Sequence, residues 1–303
     1  MALARAYGLD CDLVYQRQWR NAPATIASIH DYLSKVSKRN WVLRECLERV
    51  PNDVDAAREL LLYGLKNTDL DVVADVEGRD QDKATWSPLE YQETEAETLR
   101  KEEEQRRQWL AKIDFDNLTV QQKMLISTRR RLLQFLDRLS IYEMILGGPH
   151  AAGQRFDPNF FETFRSQTAL ESTAGFARQG EWQAVAVMFT FNGPQTLPHR
   201  LAICACFPET VPPFDYRSVL PECDVSGEVF LWEQQELRKS DWCECPAARM
   251  AVDVERILEA ETVEQFYSEE SKLKPFRSAG VELTTDLVSL WYQTRGADIV
   301  KQR

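Results

Sequence analysis

The stretch Trp41-Val-Leu-Arg-Glu-Cys-Leu-Glu-Arg-Val-Pro-Asn-Asp-Val-Asp-Ala-Ala-Arg-Glu-Leu-Leu-Leu-Tyr-Gly-Leu65 decides how this chain folds. Leu43, Cys46, Leu47 and Val50 recur at three- and four-residue intervals, so they share one helix face. Pro51-Asn52-Asp53 then interrupts the pattern. Proline cannot donate to the preceding turn, and Asp53 has the side chain of a helix N-cap. Val54, Ala57, Leu60, Leu61 and Leu65 form the next apolar stripe. A connection this short forces the two helices antiparallel, as a helical hairpin.

The same reading extends in both directions. Ile26, Ile29, Leu33 and Val36 mark an earlier face. Thr119 is the expected N-cap of a long helix reaching Leu146, with Val120, Met124, Leu132, Leu136, Leu139, Tyr142, Ile145 and Leu146 as its stripe and Gly147-Gly148-Pro149 as its stop. At 1.5 Å per residue that helix would span about 40 Å. Its Arg129-Arg130-Arg131 run fans over roughly 300°, too wide for one flat phosphate-binding patch, and is expected to be solvated or paired within the helix. Further helices are expected from Asp157-Pro158 to Phe164, from Thr168 to Gln179 with Gly180 as stop, over Glu181–Phe191, and from a capping Thr196 to Phe207. Later ones are expected over Asp241–Val252, Val263–Glu269 and Thr285–Lys301.

Two stretches, Asp75–Lys83 and Ser87–Glu93, lack an apolar face and read as an acidic loop. The expected organisation is therefore helical hairpins over 1–76, a mobile acidic segment over 77–97, and a continued helical array over 98–303. The fold class is all-α, an irregular α-solenoid of stacked antiparallel hairpins that buries its apolar faces between neighbours. The chain has 303 residues and a formal net charge of −11, with 44% hydrophobic and 28% charged residues. Those fractions suit a folded, water-soluble chain, and the acidic balance disfavours direct nucleic-acid binding. No segment approaches the roughly 20 apolar residues that span a bilayer. The opening residues, Met1 to Gly8, carry no hydrophobic block of a secretory signal. The seven cysteines read as reduced thiols in the cytosol.

Three chemical readings can be tested on the residues. Cys204-x-Cys206, Cys223 and Cys243-x-Cys245 have the wrong spacing for zinc, since a one-residue gap on a helix turns two thiols about 200° apart. They are expected to be buried hydrophobes, with no metal or cofactor. His30, His150 and His199 lack a nucleophile-elbow partner and read as structural or surface imidazoles, so no catalytic residue is assigned. Trp109, Trp232, Trp242 and Trp291 lie beside charged residues; Trp109, Trp232 and Trp242 are the candidates for partner contact, because tryptophan is enriched in interface hot spots.

Longer matches point to a family. Leu9-Asp-Cys-Asp-Leu-Val-Tyr-Gln-Arg-Gln-Trp19, Trp41–Val50, Asp55-Ala-Ala-Arg-Glu-Leu-Leu61, Leu136-Asp-Arg-Leu139, Leu197-Pro-His-Arg-Leu-Ala-Ile203, Phe207-Pro-Glu-Thr210, Asp241-Trp-Cys-Glu244 and Trp291-Tyr-Gln-Thr-Arg295 resemble the secretory helical domain of the NBAS (neuroblastoma-amplified sequence) family. The resemblance covers nearly the whole chain except the acidic stretch. It implies an internal fragment of a larger protein whose β-propeller precedes this region. It also implies a non-enzymatic subunit of an NRZ/Dsl-type tether, cytoplasmic and held peripherally on the endoplasmic reticulum through partners. Such a tether serves retrograde transport from the Golgi, with the other tether subunits and SNAREs as partners. The family is further associated with nonsense-mediated mRNA decay, so an adaptor for the decay helicase is the alternative. The resemblance implies no catalytic residue.

Overall fold

Helix-start and helix-stop residues set the observed element boundaries. The computed structural model describes residues 10–74, 104, 106–212, 214–220, 241–252, 255–269, 271–277 and 293, and among these every regular element is an α-helix or a short 3-10 turn. In chain order the α-helices are α1 (Cys11–Asn21), α2 (Ile26–Asp31), α3 (Arg39–Glu48), α4 (Val54–Lys66), α5 (Leu70–Ala74), α6 (Val120–Ile145) and α7 (Pro149–Arg155). There follow α8 (Pro158–Ser166), α9 (Ala169–Gln179), α10 (Trp182–Phe191), α11 (Gly193–Thr196), α12 (Arg200–Cys204), α13 (Pro246–Ala251) and α14 (Glu255–Glu269). The chain is all-α. The acidic segment 77–97, its expected boundaries at 76 and 98, and the helix expected over Thr285–Lys301 fall outside the described residues, apart from residue 293, which is helical.

The chain forms two compact units, each assembled from separate stretches of sequence. The first comprises Met1–Ser140, Pro149–Arg165 and Glu236–Asp253; the second comprises Ile141–Gly148, Ser166–Gln235 and Val254–Arg303.

In the first unit, the deciding stretch folds as α3 and α4, which pack on each other. Asp53 caps α4 by accepting from the backbone N–H groups of Asp55 and Ala56, and Val54, Ala57, Leu60 and Leu61 are buried. Gly64 has a packing role: a Cβ there would lie 2.8 Å from Leu132 Cδ1, so the missing side chain lets α6 approach α4 closely. Upstream, Trp19 is fully buried and its indole N–H donates to Glu45 Oε2 at 3.0 Å. Asp12 is buried and accepts from the Ser37 and Lys38 N–H groups and the Ser37 hydroxyl, tying the start of α1 to the start of α3.

Helix α6 corrects two expectations. Thr119 does cap it, with a reciprocal pair of bonds between Thr119 and Gln122, and Gly148 N–H closes the far end on the Glu143 carbonyl at 2.8 Å. Its buried stripe, however, begins at Leu125 and Ile126; Val120 is 87% exposed and Met124 is also exposed. The arginines are the larger surprise. Arg129 and Arg130 are buried, and only Arg131 faces solvent. The partners of Arg129 lie far away in sequence. Its guanidinium makes a forked pair with Asp241 (Nη2 to Oδ2, 2.7 Å; Nε to Oδ1, 3.0 Å) and donates through Nη1 to the carbonyls of Leu65 and Thr68. Helix periodicity shows that three arginines point three ways, but it does not show that two of those ways lead into other elements.

In the second unit α9 is central, packing against α10, α12 and α14. A capping box starts it: Thr168 Oγ1 accepts from the Glu171 N–H while the Glu171 carboxylate accepts from the Thr168 N–H. Gly180 ends it at φ +83°, and a Cβ there would meet Val211 Cγ2 at 2.9 Å. Trp182–Phe191 is helical, as expected. The continuous helix expected from Thr196 is not formed. Thr196 instead closes the one-turn α11, with its hydroxyl donating to the Asn192 carbonyl, and Leu197–His199 is a 3-10 turn before α12. Pro198 falls in that turn, and proline's missing N–H breaks the α-helical ladder there. Likewise Asp241–Val252 splits into a 3-10 turn and α13 at Pro246, while α14 starts at Glu255, ahead of the expected Val263.

The Arg129–Asp241 pair yields a test. Burial pushes the Asp241 carboxyl upward, but the hydrogen bonds and charge of Arg129 outweigh it and hold the group below its ordinary value. A carboxylate lowered on folding stabilises above its unfolded pKa, and that stabilisation is lost as pH falls through about 4 and below. Arg129→Ala, which strands the buried carboxylate, should cost about 3–5 kcal/mol in denaturant unfolding at neutral pH. The deficit against the wild-type chain should narrow in acid; a loss below about 1 kcal/mol, or one independent of pH, would remove the pair from its anchoring role.

Candidate partner-binding site

The three tryptophan candidates have different fates. Trp242 is 5% exposed, and the Arg129 guanidinium lies 5.3 Å from its ring centroid, so in the first unit it packs inside. Trp109 remains partly accessible, with Lys112 Nζ 3.9 Å from the ring centroid. Trp232 lies outside the described residues, as does Trp291.

Of the cysteine and histidine candidates, Cys223 lies outside the described residues. Cys204 and Cys206 are both buried, each Sγ donating to a different backbone carbonyl, those of Val219 and Ala202. Burial, with the adjacent Asp241 charge, pushes the Cys243 thiol up, the opposite of what a nucleophile or metal ligand needs. Among the described residues no three His, Cys, Asp or Glu side chains gather to hold a metal ion. His30 Nε2 lies 3.7 Å from Glu59, and His150 is exposed in the first turn of α7.

His199 has a specific partner. Its Nδ1 lies 2.9 Å from the Tyr267 hydroxyl, which links the 3-10 turn to α14. Burial lowers the imidazole below its ordinary value and raises the Tyr267 phenol to about 12, so the pair is neutral in the folded unit.

Beside this pair a groove of about 460 Å³ opens between the start of α9, the Pro194–His199 segment and α14. Leu170 and Ala169 are buried at its base, Val263 is half-buried, and Pro194, Glu259 and Ala260 are exposed at its edges. Much of its polar lining is already engaged: Thr168 caps α9, Thr262 Oγ1 donates to the Leu258 carbonyl at 2.8 Å, and His199 holds Tyr267. The lining is mainly apolar, and several of its polar groups are already engaged within the chain. Sequence reading missed this groove because its walls come from three segments, Thr168–Leu170, Pro194–His199 and Glu259–Val263, that are distant in sequence. The nearest signal was the Thr168-x-x-Glu171 capping box, which fixes where α9 begins.

Comparison with known proteins gives the likeness its scale. The chain is 44% identical, over 99% of its length, to the Homo sapiens NBAS subunit of the NRZ tethering complex, of which it covers 13%. It is 24% identical over 97% of its length to MAG2-interacting protein 2 of Arabidopsis thaliana, of which it covers 10%. The chain thus spans a small part of each curated relative. No family model matches it, and neither does a solved structure.

The His199–Tyr267 contact predicts an acid-sensitive packing. An imidazole whose pKa is lowered on folding takes up its proton more readily in the unfolded chain, so stability is full above about 6.5 and falls as pH drops below that value. His199→Gln should therefore shrink the loss of unfolding midpoint between about pH 7.5 and pH 5.5, while Tyr267→Phe costs about 1 kcal/mol at neutral pH. Identical pH slopes for His199→Gln and the wild-type chain would refute the assignment.

Proposed function

We propose that this NBAS-like chain is a segment of a vesicle-tether subunit, a non-enzymatic scaffold that holds protein partners at fixed separation. The observation that carries the reading is the 44% identity to the NRZ tether subunit, sustained over 99% of this chain. That likeness runs along nearly the whole chain rather than through a short motif. The finer reading places the chain in retrograde transport from the Golgi to the endoplasmic reticulum, with tether subunits and SNAREs as partners and with helical hairpins stacked as an open array.

The mechanism is geometric. A rigid helical segment between two binding surfaces raises the effective concentration of their ligands for each other, with no bond made or broken. No described helix is long and apolar enough to cross a membrane, and the sequence carries a net charge of −11. Anionic headgroups repel such a charge, so attachment to a membrane is assigned to protein partners. Among the described tryptophan candidates, Trp109 is the accessible one for such a contact.

The test is affinity isolation of the full-length protein that contains this segment, beside an internal deletion of the segment. The intact protein should recover tether subunits and endoplasmic reticulum SNAREs, and the deletion should lose at least one of them. Recovery of an RNA-decay helicase in place of those partners, dependent on the same segment, would overturn the tether reading in favour of the decay adaptor.

A further inference from the structure

The first turns of α6 carry a charge opposite to that of the chain as a whole. From Val120 to Leu136 the helix has four cations, Lys123 and Arg129 to Arg131, and no acid, in a chain of net charge −11. Arg129 and Arg130 are turned inward, so Lys123 and Arg131 are the cations this part of α6 presents to solvent. They share one face with apolar groups. At about 100° per residue, Val120, Lys123, Met124, Ser127 and Arg131 fall within an arc of about 100°, and all five are exposed. Among the described residues no ion pair engages either cation; the Arg131 guanidinium lies 5.4 Å from the centroid of the Phe135 ring. Val120 and Met124 supply the apolar surface, and Ser127, midway along, is small enough for another backbone to come near.

The stripe is straight and about 16 Å long, which suits a second helix laid along it. A lipid surface is the poorer match. Interfacial helices present a wide apolar face to the bilayer, whereas α6 buries its main stripe from Leu125 onward within the unit and leaves two apolar side chains in this one. We propose that this face of α6 docks an acidic amphipathic helix of a partner protein, its apolar side chains against Val120 and Met124 and its carboxylates facing Lys123 and Arg131. The assignment rests on the reading of the chain as a tether-subunit segment and names the chemistry of one partner contact. Lys123 and Arg131 lie about 12 Å apart along the axis, so the matching carboxylates are spaced by about seven or eight residues on the partner helix.

The experiment replaces Val120, at the exposed end of the stripe, with p-benzoylphenylalanine in the full-length protein, photo-crosslinks in cells and maps the joined peptide by mass spectrometry. The expected product is a peptide of another protein with apolar residues at three- and four-residue spacing and aspartate or glutamate beside them. Adding Lys123→Glu with Arg131→Glu should reduce that product about tenfold or more, and the charge-preserving pair Lys123→Arg with Arg131→Lys should retain it. Lys123→Gln alone, at an exposed side chain, should give a smaller loss without a question of folding. A crosslink to residues 75–103 of the same chain, to a second copy, or to a basic or uncharged peptide would each overturn the proposal. So would no product, a product indifferent to charge reversal, or sedimentation of the purified protein with phosphatidylserine vesicles that Lys123→Gln abolishes. Recovery of tether subunits is scored in the same samples. If they are recovered while the stripe fails these criteria, the docking assignment falls alone; if they are absent, the tether reading falls with it.

Discussion

Arginine forks that close the carbonyl ends of neighbouring elements are the interaction on which each unit depends. The last turns of a helix leave carbonyls without intrahelical donors, and a buried helix end must find them elsewhere. Here the donors come from other segments. Arg49 donates to the Trp19 and Ala22 carbonyls at the end of α1, and its guanidinium lies 4.4 Å from the Trp19 ring centroid. Arg165 reaches the Glu48 carbonyl at the end of α3, Arg129 those of Leu65 in the last turn of α4 and Thr68 just beyond it, and Arg200 those of Val219 and Leu220. Each fork brings positive charge to the negative end of a helix or turn while its planar face rests on an aromatic ring or apolar side chains.

That device is consistent with a scaffold. Short helices bury little surface each, and α2, α5, α11 and α12 are between four and six residues long. Helices of that length are not stable alone, so their positions must be fixed by tertiary bonds. A guanidinium remains charged under these conditions: burial lowers Arg165 only to about 10, well above neutral pH. The clamps therefore hold through the physiological range, whereas the His199–Tyr267 contact in the second unit does not share that insensitivity. Among the described joints the Arg129–Asp241 pair loosens only in strong acid, whereas the His199–Tyr267 contact, which borders the groove, loosens at milder acidity.

Much of the fold was legible in local chemistry. The capping boxes at Thr119 and Thr168, the Asp53 cap and the Gly180 stop all act within four residues, and each lies where the sequence puts it. The failures share a cause. Thr196 has cap chemistry, but Pro194 and Pro198 fragment the segment, and the hydroxyl turns back to Asn192 instead. Val120 and Met124 fit the apolar period of α6 but lie before the turn at which other elements cover it. Trp242 resembled a surface anchor because its sequence neighbours are charged, yet Asp241 is drawn inward by Arg129 and takes the indole with it.

By itself the sequence determined the all-α class, most helix boundaries and the likeness to a tether subunit, because caps, breakers and apolar periods are local and a long match is a property of residue order. Only the tertiary structure decided which charges are buried and which surfaces stay open. An arginine destined for Asp241 looks identical, in its own helix, to one destined for water; what separates them is the position of a carboxylate that the chain delivers more than a hundred residues later. The groove beside α14 has the same origin, since concavity is made by the spacing of elements and by no residue alone.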